Sequence, residues 1–264
     1  MDKVVASAAE AVADIASGSS LVVGGFGLAG IPWFLIEALL DQGADDLTVV
    51  SNNCGVDGAG LGLLLENRRI TRVIASYVGE NREFARQYLS GELQVELTPQ
   101  GTLAERMRAG GAGIGAFFTP TGVGTLVAEG GLPWRYDQNG KVTVASPPKE
   151  VRTFHGKEMV LEESIVTDVA LVRAAVVDRQ GNARFHASAR NFNPVAAMAG
   201  RIAIIEAEKI VEAGELGPDD IHLPGVYVQK VVPLTNEQAH RKDIEKRTIR
   251  LHHGEEGARD GADA

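Results

Sequence analysis

The stretch that most constrains this chain is Leu21–Pro32, LVVGGFGLAGIP. Leu21, Val22 and Val23 read as the end of a buried strand. Gly24, Gly25, Gly27 and Gly30 follow, and glycine removes the Cβ where a backbone turns sharply or a ligand must come close. Pro32 opens an apolar run over 33–40, and proline suits a first helical turn because its missing N–H would be unpaired there. The segment therefore predicts a strand, a tight turn and a helix N-terminus. Its free N–H groups and positive dipole end would face an acyl, phosphate or pantetheine oxygen. Gly25–Gly30 also fits G-x-G-x-x-G. A dinucleotide site, however, wants an acid after the second strand, whereas Asp45 and Asp46 precede Leu47–Val50, which ends in Ser51-Asn52-Asn53.

The rest of the chain repeats the strand–helix rhythm. Apolar spacing predicts a helix over Val4–Ile15, stopped by Gly18, and one over 32–41, closed by Gly43. Leu47–Val50, Ile70–Ala75 and Leu93–Leu97 read as strands, with helices over 61–69, Glu83–Ser90 and Thr102–Ala109. Such alternation predicts an α/β fold, a mainly parallel sheet flanked by helices, with ligands beyond the carboxyl ends of the strands. The 24–30 turn, Ser51-Asn52-Asn53 and Thr98-Pro99-Gln100-Gly101 should then share one rim. Past Gly131 the texture turns to irregular β-structure, read as a β-rich flap or insertion with turns at Asn139-Gly140 and Pro147-Pro148. The sheet resumes at Val169–Val177 and Ile202–Glu206. One domain is expected over 1–250, and a disordered polar tail over 251–264.

Charge and composition narrow the function. A net charge of −9 argues against a nucleic-acid or anionic-membrane surface. The 44% apolar content excludes a disordered chain. The single cysteine, Cys54, excludes an internal disulfide and fits a reducing compartment. The acidic N-terminus lacks the apolar core of a signal peptide, and no run reaches transmembrane length, so a cytoplasmic protein is expected. The six histidines show no metal-ligand spacing beyond His252-His253, so no metal site is expected.

Candidate side chains divide the same way. Cys54 follows a strand but has no histidine near it in sequence, which favours a packed thiol over a nucleophile. Glu80 has the chemistry of a general base in a setting that reads as surface. Glu105, Arg106 and Arg108 read as a solvated helix face. Gln100 is a neutral amide past a strand end, able either to donate to a carbonyl or carboxylate or to cap the helix expected from Thr102. Asn52 and Asn53 carry the same two readings. The residues thus describe an α/β binding scaffold rich in amides and backbone donors, without an evident nucleophile.

Four blocks taken together, VVGGFGLAGIP (22–32), SNNCGVD (51–57), the segment 96–125 and SARNFNP (188–194), resemble the A (alpha) subunit of family I coenzyme A transferases. The likeness runs from about Val4 to about Arg250. Over Ser76–Glu96 it is nearest to the branch acting on succinyl-CoA and 3-oxoacids; a 3-oxoadipate or other short-chain acid acceptor is the alternative. One departure is Ser17, where the family usually has Asp or Asn before the glycine. The resemblance implies a fold like that of sugar-phosphate isomerases and a ping-pong transfer of CoA through a glutamyl-CoA thioester. It places the attacking glutamate in a Ser-Glu-Asn-Gly motif of a separate B subunit, which this chain lacks. Coenzyme A is then a substrate, with no permanently bound cofactor, and the expected assembly is an A2B2 heterotetramer. Residue by residue, Gly24, Gly25, Phe26, Gly27, Leu28, Ala29 and Gly30 become the coenzyme-binding segment. Asn52 and Asn53 line the same pocket, and Gln100 orients the substrate carboxylate or reacting carbonyl. A non-catalytic acyl-CoA or sugar-phosphate sensor is the reading from another class.

Overall fold

The computed structural model describes residues 1–242 and residue 245. Its first half runs α1 (Ala8–Val12), β1 (Ser20–Val23), α2 (Trp33–Gln42), β2 (Leu47–Val50), α3 (Leu61–Glu66), β3 (Ile70–Ala75), α4 (Arg82–Leu89), β4 (Gln94–Leu97) and α5 (Gln100–Gly111). A flap follows: β5 (Ala116–Thr119), α6 (Leu126–Glu129), β6 (Pro133–Tyr136), β7 (Val142–Ala145), β8 (Val151–Phe154) and β9 (Lys157–Glu163). The second half is β10 (Thr167–Asp178), β11 (Ala183–Arg184), α7 (Asn193–Ala199), β12 (Gly200–Val211), β13 (Lys230–Pro233) and α8 (Asn236–His240).

The main sheet has the order β13-β12-β10-β1-β2-β3-β4, with β11 paired antiparallel to β10. All its other pairings are parallel. The chain builds outward from β1 to β4, then returns to the other side of β1 as β10. The topology therefore switches direction between β1 and β10, where open α/β sheets place their ligand crevice. Both faces are covered, as parallel sheets require. Leu21 and Val23 pack on α2 with Leu35, Ile36 and Leu39, while Val22 packs with Leu103, Met107, Ala196 and Ala197. Full burial of each leucine or isoleucine contributes on the order of 1.5–3 kcal/mol.

The expected elements form, with shifts that have local causes. The first helix is only Ala8–Val12, capped by Ser7. Val4 and Val5 are drawn instead to the sheet edge, where Val5 N–H donates to Val231 O at 2.9 Å. The helix expected over 61–69 ends at Glu66, because Arg68 adopts a left-handed φ of 55°. The helix after β4 starts at Gln100, not Thr102, and Pro32 stands just before α2 as its cap residue. The flap forms as two small antiparallel sheets, β5-β9-β8 and β6-β7. Gly140 lies in the β6–β7 turn, with its N–H bonded to Asp137 O at 3.0 Å. The tail 251–264, and with it the domain boundary at 250, lies outside the described residues.

One buried charge pair joins the halves. Arg173 of β10 and Glu206 of β12 are 2% and 0% exposed and lie 3.3 Å apart. Glu206 also accepts from the N–H groups of Phe34 and Leu35 at 2.9 and 3.0 Å, in the first turn of α2. Arg173 reaches Glu208 at 2.9 Å and Ala239 O at 3.0 Å. Burial pushes the Glu206 carboxyl up to about 7, against the lowering effect of Arg173 and the two amides.

Glu206→Ala should cost about 3–5 kcal/mol in denaturant unfolding at pH 8, because it leaves Arg173 buried without this partner and two helix N–H groups unpaired. The wild-type curve should also slope with pH. Between about pH 4.5 and 7 the native state holds a proton that the unfolded chain has released. This group's contribution to stability therefore falls as pH rises through that window. Glu206→Gln, neutral throughout, should flatten the slope.

Candidate active site

The carboxyl ends of β1 to β4 feed one rim. Ser51 follows β2 and donates from Oγ to Val23 O at 2.9 Å, tying the ends of β1 and β2 together. Thr98 N–H, past β4, donates to Ala75 O at 2.9 Å, tying β4 to β3.

On this rim the three amides singled out from sequence form one chain. Gln100, the exposed first residue of α5, donates from Nε2 to Asn52 Oδ1 at 2.8 Å. Asn52 Nδ2 donates to Asn53 Oδ1 at 3.2 Å, and Asn53 Nδ2 to Gly55 O at 3.4 Å. Asn52 and Asn53 are buried, while Gln100 stands at their solvent end. Its bond to Asn52 is tertiary, spanning 48 positions, so capping alone does not account for the side chain.

Two similar loops stand beside this chain. In the first, Phe26 and Ala29 exchange N–H···O bonds of 3.0 Å each. In the second, Val56 and Ala59 do the same at 3.3 and 3.0 Å. The sequences, GFGLAG (25–30) and GVDGAG (55–60), share their first glycine and the closing Ala-Gly, with positive φ at both ends. Each loop joins a strand to a helix on the same rim.

The glycines of the first loop serve several ends, and the expectation of free donors there needs correction. A Cβ on Gly24 would lie 2.0 Å from Asn193 Oδ1, and one on Gly30 would lie 2.6 Å from Asn193 Nδ2. Asn193, fully buried, donates to Gly30 O at 3.0 Å and accepts from Arg173 N–H at 3.2 Å. Those two glycines make room for a side chain of the protein itself. Gly25 is hemmed in by Ile31, whereas Gly27, at φ +57°, meets nothing within 4 Å. The start of α2 is occupied by Glu206, and Gly30 N–H donates to Glu245 at 2.6 Å. The open part of the loop is its apex, Phe26-Gly27-Leu28. Phe26 is 44% exposed and stacks on Phe192 at 6.2 Å.

Other candidates separate clearly. Cys54 is fully buried, and burial pushes its thiol well above the ordinary value. Glu80 is exposed and borders an open cavity of about 480 Å³ with Asp57, Asn81 and Arg82. Glu105 and Arg108 form an exposed pair as expected. Arg106 does not belong to that face: its side chain, 12% exposed, bonds Glu96 at 2.7 Å and Glu163 O at 2.8 Å. Among the described residues no group of three or more His, Cys, Asp and Glu side chains is placed to hold a metal ion, and no helix is long and apolar enough to cross a membrane.

Sequence reading missed Ser76, Asn193, Arg173 and Glu206. The last two had a signal, since each is a charge inside an apolar strand, ALVRAAVV and IAIIEAE. Ser76 had one too, as the first residue after β3, where Ser51 stands after β2.

Fold and rim define a doubly wound α/β protein with a row of hydrogen-bonded amides at its strand ends. Residues 5–234 match the coenzyme A transferase family. The chain is 64% identical over 250 residues to a Mycobacterium tuberculosis protein named as the A subunit of a probable succinyl-CoA:3-ketoacid coenzyme A transferase, covering 95% of this chain and 100% of that one. It is 51% identical over 247 residues to the human mitochondrial succinyl-CoA:3-ketoacid coenzyme A transferase 2, covering 94% of this chain and 47% of that larger one. A solved acyl-CoA transferase of Escherichia coli O157:H7, in a thioester complex with CoA, superposes with a TM-score of 0.74 at 25% identity, over 90% of this chain and 48% of that one. Glutaconate coenzyme A-transferase of Acidaminococcus fermentans does so at 0.72 and 22%, over 90% and 77%. The chain belongs to the coenzyme A transferase family.

The sealed thiol gives a direct check. Iodoacetamide should leave Cys54 unmodified in the native protein and label it fully in denaturant, read by intact mass.

Proposed function

We propose that this chain is the A-type component of an enzyme that moves CoA from succinyl-CoA to a 3-oxoacid, with acetoacetate as the first acceptor. The observation that carries the proposal is the make-up of the rim. Gln100, Asn52, Asn53 and Ser76 supply donors and acceptors, while the nearby thiol is sealed, so the site is equipped to orient and polarise but not to attack. The names of the relatives at 50–64% identity support both the substrate pair and a second polypeptide.

In this reading a glutamate carboxylate supplied by the B-type partner attacks the thioester carbonyl and expels CoA thiolate, giving an acyl-glutamyl anhydride. The thiolate then attacks the glutamyl carbonyl, releasing succinate and leaving a glutamyl-CoA thioester, from which the 3-oxoacid takes CoA by the reverse sequence. Splitting the exchange in this way replaces one difficult step by easier covalent ones. This chain's part is electrostatic. Gln100 Nε2 carries two hydrogens, and Asn52 takes one. The other is available to an oxygen on which charge develops, where one preorganised donor is worth about 3–4 kcal/mol. The loop apex Phe26-Gly27-Leu28 meets the coenzyme, while Gly24, Gly25, Ala29 and Gly30 hold its shape. Asn52 and Asn53, buried beneath Gln100, back it. We assign the assembly as A2B2 and the reaction to the cytoplasm, a compartment that suits an unpaired cysteine.

Transfer from succinyl-CoA to acetoacetate, assayed with this chain alone and after mixing with a partner polypeptide carrying Ser-Glu-Asn-Gly, tests the reading. Activity is expected only in the mixture. Activity of this chain alone would overturn the division of the site, and a clear preference for 3-oxoadipate in an acceptor panel would overturn the acceptor. Gln100→Ala should lower kcat about 100-fold or more while leaving assembly with the partner, followed by size-exclusion chromatography, unchanged. Full turnover in that variant would remove Gln100 from the mechanism.

A further inference from the structure

We infer that Ser76 is a positioning residue for the transfer reaction: in an amide chain whose direction the Gly55 carbonyl sets, its hydroxyl is the second donor to Asn52 Oδ1 and steadies the acceptor that presents Gln100. The inference rests on the role proposed above for Gln100.

The direction follows from what each end can do. Gly55 O is a carbonyl and can only accept, so Asn53 must turn Nδ2 toward it at 3.4 Å. Asn53 then shows Oδ1 to its neighbour, and Asn52 must answer with Nδ2 at 3.2 Å. That leaves Asn52 Oδ1 facing the rim, where it can only accept. Two donors meet it there, Gln100 Nε2 at 2.8 Å and Ser76 Oγ at 3.0 Å, one for each lone pair. The hydroxyl has a second acceptor within reach, Asn52 O at 3.1 Å. That carbonyl also receives Ser76 N–H at 3.1 Å, and the hydroxyl lies slightly nearer to Oδ1.

A flipped Asn52 would put Nδ2 against Gln100 Nε2 and its Oδ1 against Asn53 Oδ1, a donor–donor and an acceptor–acceptor clash, and would leave the Ser76 proton without this acceptor. With Asn52 Oδ1 facing the rim and steadied by Ser76, Gln100 is held with nitrogen inward, and its second N–H and its Oε1 are left for the substrate. The position of Ser76 makes this dependable. It is the first residue after β3, and its own N–H continues the parallel ladder onto Asn52 O, so its Oγ is set by the sheet rather than by a loop.

The test is a kinetic cycle on the assembled enzyme. Ser76→Ala should lower kcat about three- to tenfold, the worth of one net hydrogen bond, with KM for succinyl-CoA within about twofold of wild type. Ser76→Thr, which keeps the hydroxyl, should restore most of the turnover. In a Gln100→Ala background, Ser76→Ala should add less than about twofold, because its effect passes through Gln100. If Ser76→Ala does not assemble, the isosteric Ser76→Cys, a weak donor, takes its place with the same expectations. Full turnover in Ser76→Ala, a multiplicative loss in the double variant, or failure of Thr to rescue would each overturn the inference. Full turnover in Gln100→Ala would instead overturn the reading of Gln100, and this inference with it. An impaired Gln100→Ala beside an unimpaired Ser76→Ala would overturn this inference alone.

Discussion

The contact between Glu206 and the start of α2 holds the arrangement together. A parallel sheet that builds out in one direction and then returns on the other side of its first strand must join two halves at one seam. Here the seam is β1 against β10, and the first loop rises directly from it. Glu206 comes from β12, one strand further out, yet its carboxylate closes the first turn of α2 and meets Arg173 of β10. A buried ion pair adds little net stability when compared with apolar packing, but it tolerates few alternative partners. With helix, loop and strands satisfied together, the first loop has one place to be. Asn193 repeats the logic on the other face, bonding Arg173 N–H and Gly30 O from the first turn of α7.

The glycine-rich loop changes meaning as a result. A run of glycines before a helix suggests donors waiting for an anion, and much of that capacity is already used by the protein's own carboxylates. The two glycines at Asn193 accommodate that side chain. What the loop offers outward is its apex, with an exposed aromatic ring and one glycine open on its Cβ side. In the proposed reading, polar work on the rim falls instead to neutral amides. That suits a chemistry in which carboxylates, thioesters and an anhydride share a site, because an amide can donate to each without changing its own charge.

Much of this was legible in the sequence, and the limits have physical causes. The strands at Leu21, Leu47 and Ile70 and the helices between them follow from apolar runs and glycine stops, which are local signals. The rim positions of Asn52, Asn53 and Gln100 follow from the topology, since residues after parallel strands must meet. The occupant of the α2 start was not legible, because Glu206 lies 172 positions from Phe34 and no local pattern connects them. Arg106 was misplaced for a related reason. It shares a helix with the exposed Glu105–Arg108 pair, but the flap folds over its side of that helix, and helical spacing says nothing about a later insertion.

The treatment of the sheet's two margins has a consequence for how such a chain can assemble. At one margin the N-terminal residues lie along β13, with Val5 N–H donating to Val231 O and Val231 N–H to Lys3 O. At the other, β6 of the flap packs beside β4, with the Trp134 ring centre 5.8 Å from the Arg72 guanidinium of β3 and Tyr88 OH of α4 donating to Pro133 O at 2.6 Å. A bare strand at a sheet edge is an open invitation to any other strand, in a partner or in an aggregate. Here both ends of the ladder are covered. Growth of the main sheet from one molecule into the next is thereby hindered at both margins, and a strand edge left open to solvent is β8 of the flap, exposed along its length.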